Sequence, residues 1–519
     1  MNSERKIKLA TCTLNQWAMD FEGNKERIIK SLKVCKDNNI SIRLGPELEI
    51  SGYSCEDHFL EMDTVTHSWQ ILASIISTGL TDDMLCDFGM PVEHNGVFYN
   101  CRILVFDSKI ILIRPKIAMA DDGNYRESRW FTAWKKGFLL EDFILPSFIS
   151  DKINQERTKI GVGVVKFLDC SYAPEVCEEM WIPFSPSIDF CMHGVEIIGN
   201  SSGSHFQMNK QERRYEIVVN TSKKNGGVFL YSNLIGCDGG RLYFDGGSFV
   251  TLNGSVLNEG KRFMLQEMEI ITSTIDLNEI SSYRNSIKSR CIQTTENTKE
   301  IPTLNISSRL TNKVEGKFNP FDFIIPRKHH ENDELTLAPA CWMWDYLRRS
   351  GASGFFLPLS GGADSSCVCI MVALLTRIIY EEIVKEKNEK NSDNFVLKEL
   401  RKIVKDENYE PQSAKEICNL ILCTCFMGTP YSSKETRNNA KNLAEEIGSY
   451  HKDFDITDII GVIKNSFMKT FEKEPKFKSE GGTYAEDLAL QNIQARTRMC
   501  ISYLIASLAN WSRDRKGFF

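Results

Sequence analysis

GFFLPLSGGADSS, residues 354–366, is the stretch on which the architecture turns. Its first half is an apolar run of strand length, and it breaks at two adjacent glycines. CVCIMVALLTRIIYEEI (367–383) follows at once, long enough for a buried helix. Strand, glycine-rich loop and helix in succession form the pattern of a nucleotide-binding α/β unit. Gly361 and Gly362 let the backbone approach an anion closely, and the N–H groups of the loop and helix start then point at a phosphate. Pro358, Leu359, Ser360, Gly361, Gly362, Ala363, Asp364 and Ser365 form the candidate phosphate cradle. Ser360 and Ser365 supply hydroxyls, and Asp364 is placed to bind Mg²⁺ between phosphates. The loop is neither the GxxxxGK[ST] nor the GxGxxG type.

Around this loop the sequence reads as a second structural unit. LAPACWMWDYLRRS (337–350) is a predicted helix, ICNLILCTCF (417–426) a buried strand, and SSKETRNNAKNLAEEIG (432–448) a helix ending at Gly448. Upstream, residues 282–334 are rich in Asn, Thr, Ser, Lys and Pro and read as a linker. Earlier still, strand-like runs alternate with helical patterns: RILVF (102–106), KIILI (109–113), IGVGVVKF (160–167), VEIIG (195–199), VFLYS (228–232) and MEIITSTI (268–275). Ile7, Leu9 and Thr11 alternate as in a strand, and Ile28, Leu32 and Cys35 recur at helical spacing. The expected organisation is a layered unit over 1–290, a linker over 291–334 and a phosphate-binding unit over 335–519.

The whole chain has 519 residues, 25% charged and 42% hydrophobic, with a formal net charge of −6. That length allows two to four domains, each able to bury a core. A mildly acidic chain offers no overall field for phosphate backbones, so no nucleic-acid partner is expected. The longest apolar stretch, Met499 to Trp511, carries Ser and Asn and is too short to span a bilayer. The opening MNSERKIK lacks the apolar core of an export signal, and no membrane partner is expected. Seventeen scattered cysteines read as reduced thiols of a cytoplasmic protein.

Three chemically capable residues follow predicted strands in the first unit: Glu47 in GPELE, Lys116 in IRPK and Cys177 in PEVCEE. Strand-end loops are where α/β sheets carry their chemistry. Such a trio could cleave an amide: a thiolate attacks the carbonyl, a glutamate moves the proton and a lysine stabilises the oxyanion. A nearby lysine is expected to depress the cysteine pKa. Spacing alone leaves the ordinary readings open, those of a core thiol, a solvated lysine cap and an exposed edge carboxylate.

The three segments resemble the catalytic segments of the nitrilase, or carbon–nitrogen hydrolase, superfamily. TCTLNQWAMDFEGN, RLGPELEISGY, NYRESRWFT, CEEMWIPFSP, NSSGSH and SKKNGG with GCDGGRLYFDG resemble, nearly continuously from residue 5 to 290, the glutaminase domain of eukaryotic glutamine-dependent NAD synthetases. That resemblance implies an α-β-β-α sandwich with Glu47 as base, Lys116 as oxyanion stabiliser and Cys177 as nucleophile. Glutamine would be held by Tyr125, Glu178, Ser204 and Lys210. The SGGxDS loop resembles the PP-loop of ATP pyrophosphatases. CWMWDYLRRSGASGFFLPLSGGADSS looks like the synthetase domain of the same family, a doubly wound parallel sheet. Ser360 would then be catalytic, and Arg496, in LQNIQARTRM (490–499), would contact deamido-NAD or ATP.

The implied reaction is glutamine-hydrolysing NAD synthesis with ATP and Mg²⁺, in a homo-oligomer. The family's domain normally runs beyond LQNIQARxRM into a second Mg²⁺-binding carboxylate and a deamido-NAD contact region, which these residues do not include. The resemblance therefore implies an incomplete doubly wound sheet. It leaves two other readings: a glutaminase or amidase with an inactive second unit, and a non-catalytic subunit.

Overall fold

Lys6–Leu14 pairs antiparallel with Met268–Asp276, Ile7 opposite Ile275, so the first strand of the unit is tied to one from far along the chain. In the computed structural model, residues 5–311, 314, 323–389 and 394–519 are described. The chain divides into two compact units, Met1–Glu334 and Leu335–Phe519.

The first unit holds two large sheets. One has eight strands in the order Met268–Asp276, Lys6–Leu14, Ile42–Leu44, Leu85–His94, Val97–Phe106, Lys109–Pro115, Arg157–Gly161 and Leu140–Ile144. The other has seven: Ser255–Glu259, Phe249–Leu252, Val228–Asn233, Ile197–Ser202, Ser171–Val176, Val164–Phe167 and Thr303–Ile306. Strand alternation assigns the faces. Ile7 and Leu9 join Tyr172, Val228 and Leu230 in the core between the sheets. Ala10, Cys12 and Leu14 instead pack with Ile28, Leu32 and Cys35 of the helix Phe21–Asp37. The result is an α-β-β-α sandwich. RILVF and KIILI lie in a hairpin whose two-residue turn, Asp107-Ser108, takes positive φ at both positions (48° and 58°).

Three sequence expectations are corrected. IGVGVVKF is not one strand: it breaks after Gly161 (φ +140°), and its halves enter different sheets. A Cβ at Gly161 would lie 1.9 Å from the Leu139 carbonyl oxygen, so only glycine makes the crossing. ICNLILCTCF begins as helix, Ala414–Ile421, and becomes strand only at Leu422. Ser413 caps that helix, and Ile417, Cys418 and Ile421 are buried from it, so the apolar run conceals a change of period. The stretch read as linker is built in its first half. It carries the helices Asn278–Ser286 and Lys288–Glu296, and Thr303–Ile306 pairs in parallel with Val164–Phe167. Arginine–backbone bonds add to the buried Ile280, Ile301 and Leu310 in holding it: Arg290 donates to Asn225 O and Cys191 O, both at 2.8 Å, and Arg284 donates to Gly226 O and Val195 O.

In the second unit, Phe355–Pro358, Leu422–Gly428 and Tyr450–Asp455 form a parallel three-stranded sheet among the described residues. Leu359, Cys369, Val372, Leu422, Phe426, Ala440 and Ala444 form its core with the helices Ala363–Asn388 and Lys434–Ile447. Gly448 ends the latter at φ +81°. Among the described residues no helix is long and apolar enough to cross a membrane.

Candidate active site

Glu47, Lys116 and Cys177 follow the carboxyl ends of Ile42–Leu44, Lys109–Pro115 and Ser171–Val176, and all three are buried. Lys116 Nζ donates to Glu47 Oε1 at 2.7 Å. It also donates to both oxygens of Glu127, at 2.9 and 2.7 Å. Glu47 is fixed from three sides, since Asn100 Nδ2 donates to Oε1 at 2.8 Å and the Gly203 N–H to Oε2 at 2.9 Å. Cys177 sits at φ +38°, a left-handed conformation costly for a residue with a Cβ, at the break between strand and 3₁₀ turn.

Burial opposes charge on Lys116, but the Glu127 and Glu47 carboxylates outweigh it and hold the ammonium well above its ordinary pKa. Burial also pushes Glu127 up, to about 7, with Lys116 pulling down and Glu47 pushing up. The expected depression of the Cys177 pKa is reversed. Burial and the charge of Glu47 push the thiol well above its ordinary value, and Lys116 offsets only part of this. That environment favours the neutral thiol over the thiolate, so a nucleophilic role for this sulfur would call for a base beside it.

Glu127 was not singled out from sequence. It lies in NYRESRW, eleven residues beyond Lys116, and the only available signal was a carboxylate inside that family-like segment. The loop between them folds back, and the Ala120 N–H donates to Glu127 Oε2 at 3.0 Å. Tyr53 OH also donates to Glu127.

Tyr125, Ser204 and Lys210 converge beside this cluster. The His205 N–H donates to Tyr125 OH at 3.0 Å, and Lys210 Nζ to the same oxygen at 3.4 Å. Lys210 Nζ lies 5.3 Å from the Tyr125 ring centroid and 5.8 Å from that of Trp181. Burial, then Arg214, lowers the Lys210 pKa to about 8. Ser204 is buried. Its Oγ accepts from Arg214 Nε at 3.2 Å and its carbonyl from Arg214 Nη2 at 2.8 Å, and Arg214 pairs with Asp245 at 2.9 Å. Glu178 is half-buried, and burial raises its pKa.

In the second unit, Ser360 Oγ and Ser365 Oγ are 3.0 Å apart across the glycine-rich loop, and the Gly362 N–H donates to Ser360 Oγ at 3.3 Å. Gly361 (φ +77°) lies so close to the helix Lys434–Ile447 that a Cβ would come within 2.0 Å of Thr436 O. A cavity of about 300 Å³ is lined by Pro358, Leu359, Ser360, Phe426, Thr436 and Arg498, among others. Arg498 Nε donates to Met427 O at 3.2 Å, whereas Arg496, the residue singled out from sequence, is exposed and does not line the cavity. Asp364 is exposed in the first turn of Ala363–Asn388. Among the described residues no three His, Cys, Asp or Glu side chains converge to hold a metal ion.

A sandwich with a buried thiol, carboxylates and an ammonium at one edge, followed by a phosphate-loop α/β unit, is the build of a two-part enzyme, and the comparisons name the parts. Residues 8–285 match the carbon-nitrogen hydrolase family, and residues 337–511 match NAD synthase. The chain is 45% identical over 515 residues to a glutamine-dependent NAD(+) synthetase of Dictyostelium discoideum, covering 99% of this chain and 71% of that protein. It is 44% identical over 515 residues to the protein of the same name from Homo sapiens, covering 99% and 72%. A crystal structure of a glutamine-dependent NAD(+) synthetase from Cytophaga hutchinsonii superposes with a TM-score of 0.74 at 25% identity, covering 96% of this chain and 72% of that one. The chain belongs to the glutamine-dependent NAD(+) synthetase family.

Proposed function

We propose that Cys177, Glu47 and Lys116 carry the glutaminase half of a glutamine-dependent NAD(+) synthesis. The overall activity is that of a ligase with ATP as co-substrate, and its substrates are small molecules. The buried Glu47–Lys116–Glu127 cluster beside the strained Cys177 turn carries this reading. Glu47 takes the thiol proton as Cys177 Sγ attacks the γ-amide carbon of glutamine. Lys116 stabilises the oxyanion, and the tetrahedral adduct expels ammonia with the proton held by Glu47, leaving a thioester. Water, deprotonated by Glu47, then releases glutamate and restores the thiol. Tyr125, Glu178, Ser204 and Lys210 bind glutamine; the Lys210 ammonium suits its α-carboxylate and Glu178 its ammonium.

In the second unit the loop 358–365, with Ser360, binds the phosphates of ATP. The carboxylate of deamido-NAD is adenylated with loss of pyrophosphate, and ammonia displaces AMP to give NAD. Arg496 is proposed to contact deamido-NAD or ATP, and Arg498 lines the cavity beside the loop. A lone exposed carboxylate suits Mg²⁺, which keeps its waters and arrives with nucleotide phosphates rather than needing a protein cage. Asp364 would hold it, and the ion would neutralise phosphate charge. A cytoplasmic homo-oligomer is the proposed setting, in keeping with seventeen scattered cysteines; sedimentation of the purified chain tests the assembly.

Cys177→Ala tests the reading. Glutamate release falls at least about 10⁴-fold while ammonia-supported NAD formation persists. Undiminished glutamate release from the variant would sink the assignment.

A further inference from the structure

We infer that Glu179 is a positioning residue that clamps the nucleophile strand to the lysine strand. This rests on the assignment of Cys177 and Lys116 above. Glu179 is fully buried, two residues beyond Cys177. Its Oε2 accepts the Val176 N–H at 2.9 Å, the residue immediately before the cysteine. Its Oε1 accepts the Ile117 N–H at 2.6 Å, the residue immediately after the lysine. The same oxygen accepts from Arg114 Nη1, two residues before the lysine, and Arg114 is itself buried.

Lys109–Pro115 belongs to the eight-stranded sheet and Ser171–Val176 to the seven-stranded sheet. One carboxylate therefore ties the ends of two strands from opposing sheets, at the residues that flank the two reacting side chains. Among the described residues no strand-to-strand ladder joins these two strands, and the Glu179 carboxylate supplies a hydrogen-bonded link between their ends. Both oxygens are needed, one for each strand. A lysine that must meet an oxyanion formed on the neighbouring sulfur tolerates little error in that spacing. Glu179 acts through backbone groups and never touches glutamine. Its loss should slow the chemical step and leave binding nearly unchanged.

Glu179→Gln keeps the length but replaces one acceptor oxygen with an amide NH₂, which releases one of the two strands. Glu179→Asp keeps the charge opposite Arg114 but shortens the reach. In both, kcat for glutamate release from glutamine is expected to fall about 100-fold, with KM changed by less than about threefold. The double variant Arg114→Gln/Glu179→Gln removes the unpaired guanidinium that could unfold the single variant, and it is expected to stay slow while recovering Tm. Full kcat in Glu179→Asp would make the residue a mere counter-charge to Arg114 and overturn the clamp. So would full kcat in the folded double variant. Cys177→Ala, measured in parallel, separates the two readings. A silent Cys177→Ala beside a fully active Glu179→Gln defeats the clamp alone, whereas turnover by Cys177→Ala defeats the nucleophile assignment beneath it.

Discussion

Lys116 has two carboxylate partners, and the second matters to how the first can behave. Paired with Glu47 alone, the ammonium would hold that carboxylate in a fixed ion pair and blunt it in the base role proposed for it. Glu127 takes most of that load, with both its oxygens on Nζ. Glu127→Gln is expected to lower kcat for glutamine about 100-fold, read as initial rates of glutamate release, while a thermal melt separates the stability loss. Lys210 gives a pH signature. Its pKa of about 8 means that the ammonium is present below that pH and lost above it. The KM for glutamine should therefore rise as pH passes upward through about 8. Lys210→Arg, which stays protonated, should flatten the rise; an unchanged profile in that variant would remove Lys210 from the carboxylate site. Cys177, Glu47 and Lys116 could be picked out in sequence because each follows a strand end in distinctive text. Glu127 could not, because its partnership depends on a loop folding back. The sign of the Cys177 shift was also hidden, since burial and carboxylate proximity are properties of the folded cluster.

At the scale of elements, sequence patterning served where one period ran unbroken. The helix to Gly448 and the 102–106 and 109–113 strands have such patterns, and the structure places them there. It failed where a period changed inside an apolar run, as at Ile421–Leu422, or where glycine redirected a strand between sheets, as at Gly161. It also failed where arginine–backbone bonds replaced an apolar face, as for Lys288–Glu296. The glycine-rich loop gives the prediction that belongs here. In Gly361→Ala the new Cβ meets Thr436 O at a φ that alanine rarely adopts, so the loop must shift from the helix it rests on. ATP-dependent NAD formation should drop about 100-fold, from glutamine or ammonia alike, with glutamate release unaffected. Parallel loss of both activities would show instead that the substitution unfolds the chain.

Each unit of the whole molecule owns a core, one between and around the two large sheets and one beneath the three-stranded sheet. Calorimetry should resolve two transitions. A non-hydrolysable ATP analogue at 100 times its Kd should stabilise only the second unit, by about 2.7 kcal/mol. A shift of both transitions together would mean that the units melt as one. The high pKa of the buried Cys177 thiol has a consequence for chemical labelling. Of the seventeen thiols, Cys367 and Cys500 are exposed while Cys177 is buried and protonated at rest. A small electrophile chosen for reactivity alone will mark those surface thiols first and leave Cys177 untouched. With the role proposed for Cys177, selective covalent capture of this protein calls for a warhead carried on a glutamine skeleton, which would reach that thiol by being mistaken for substrate.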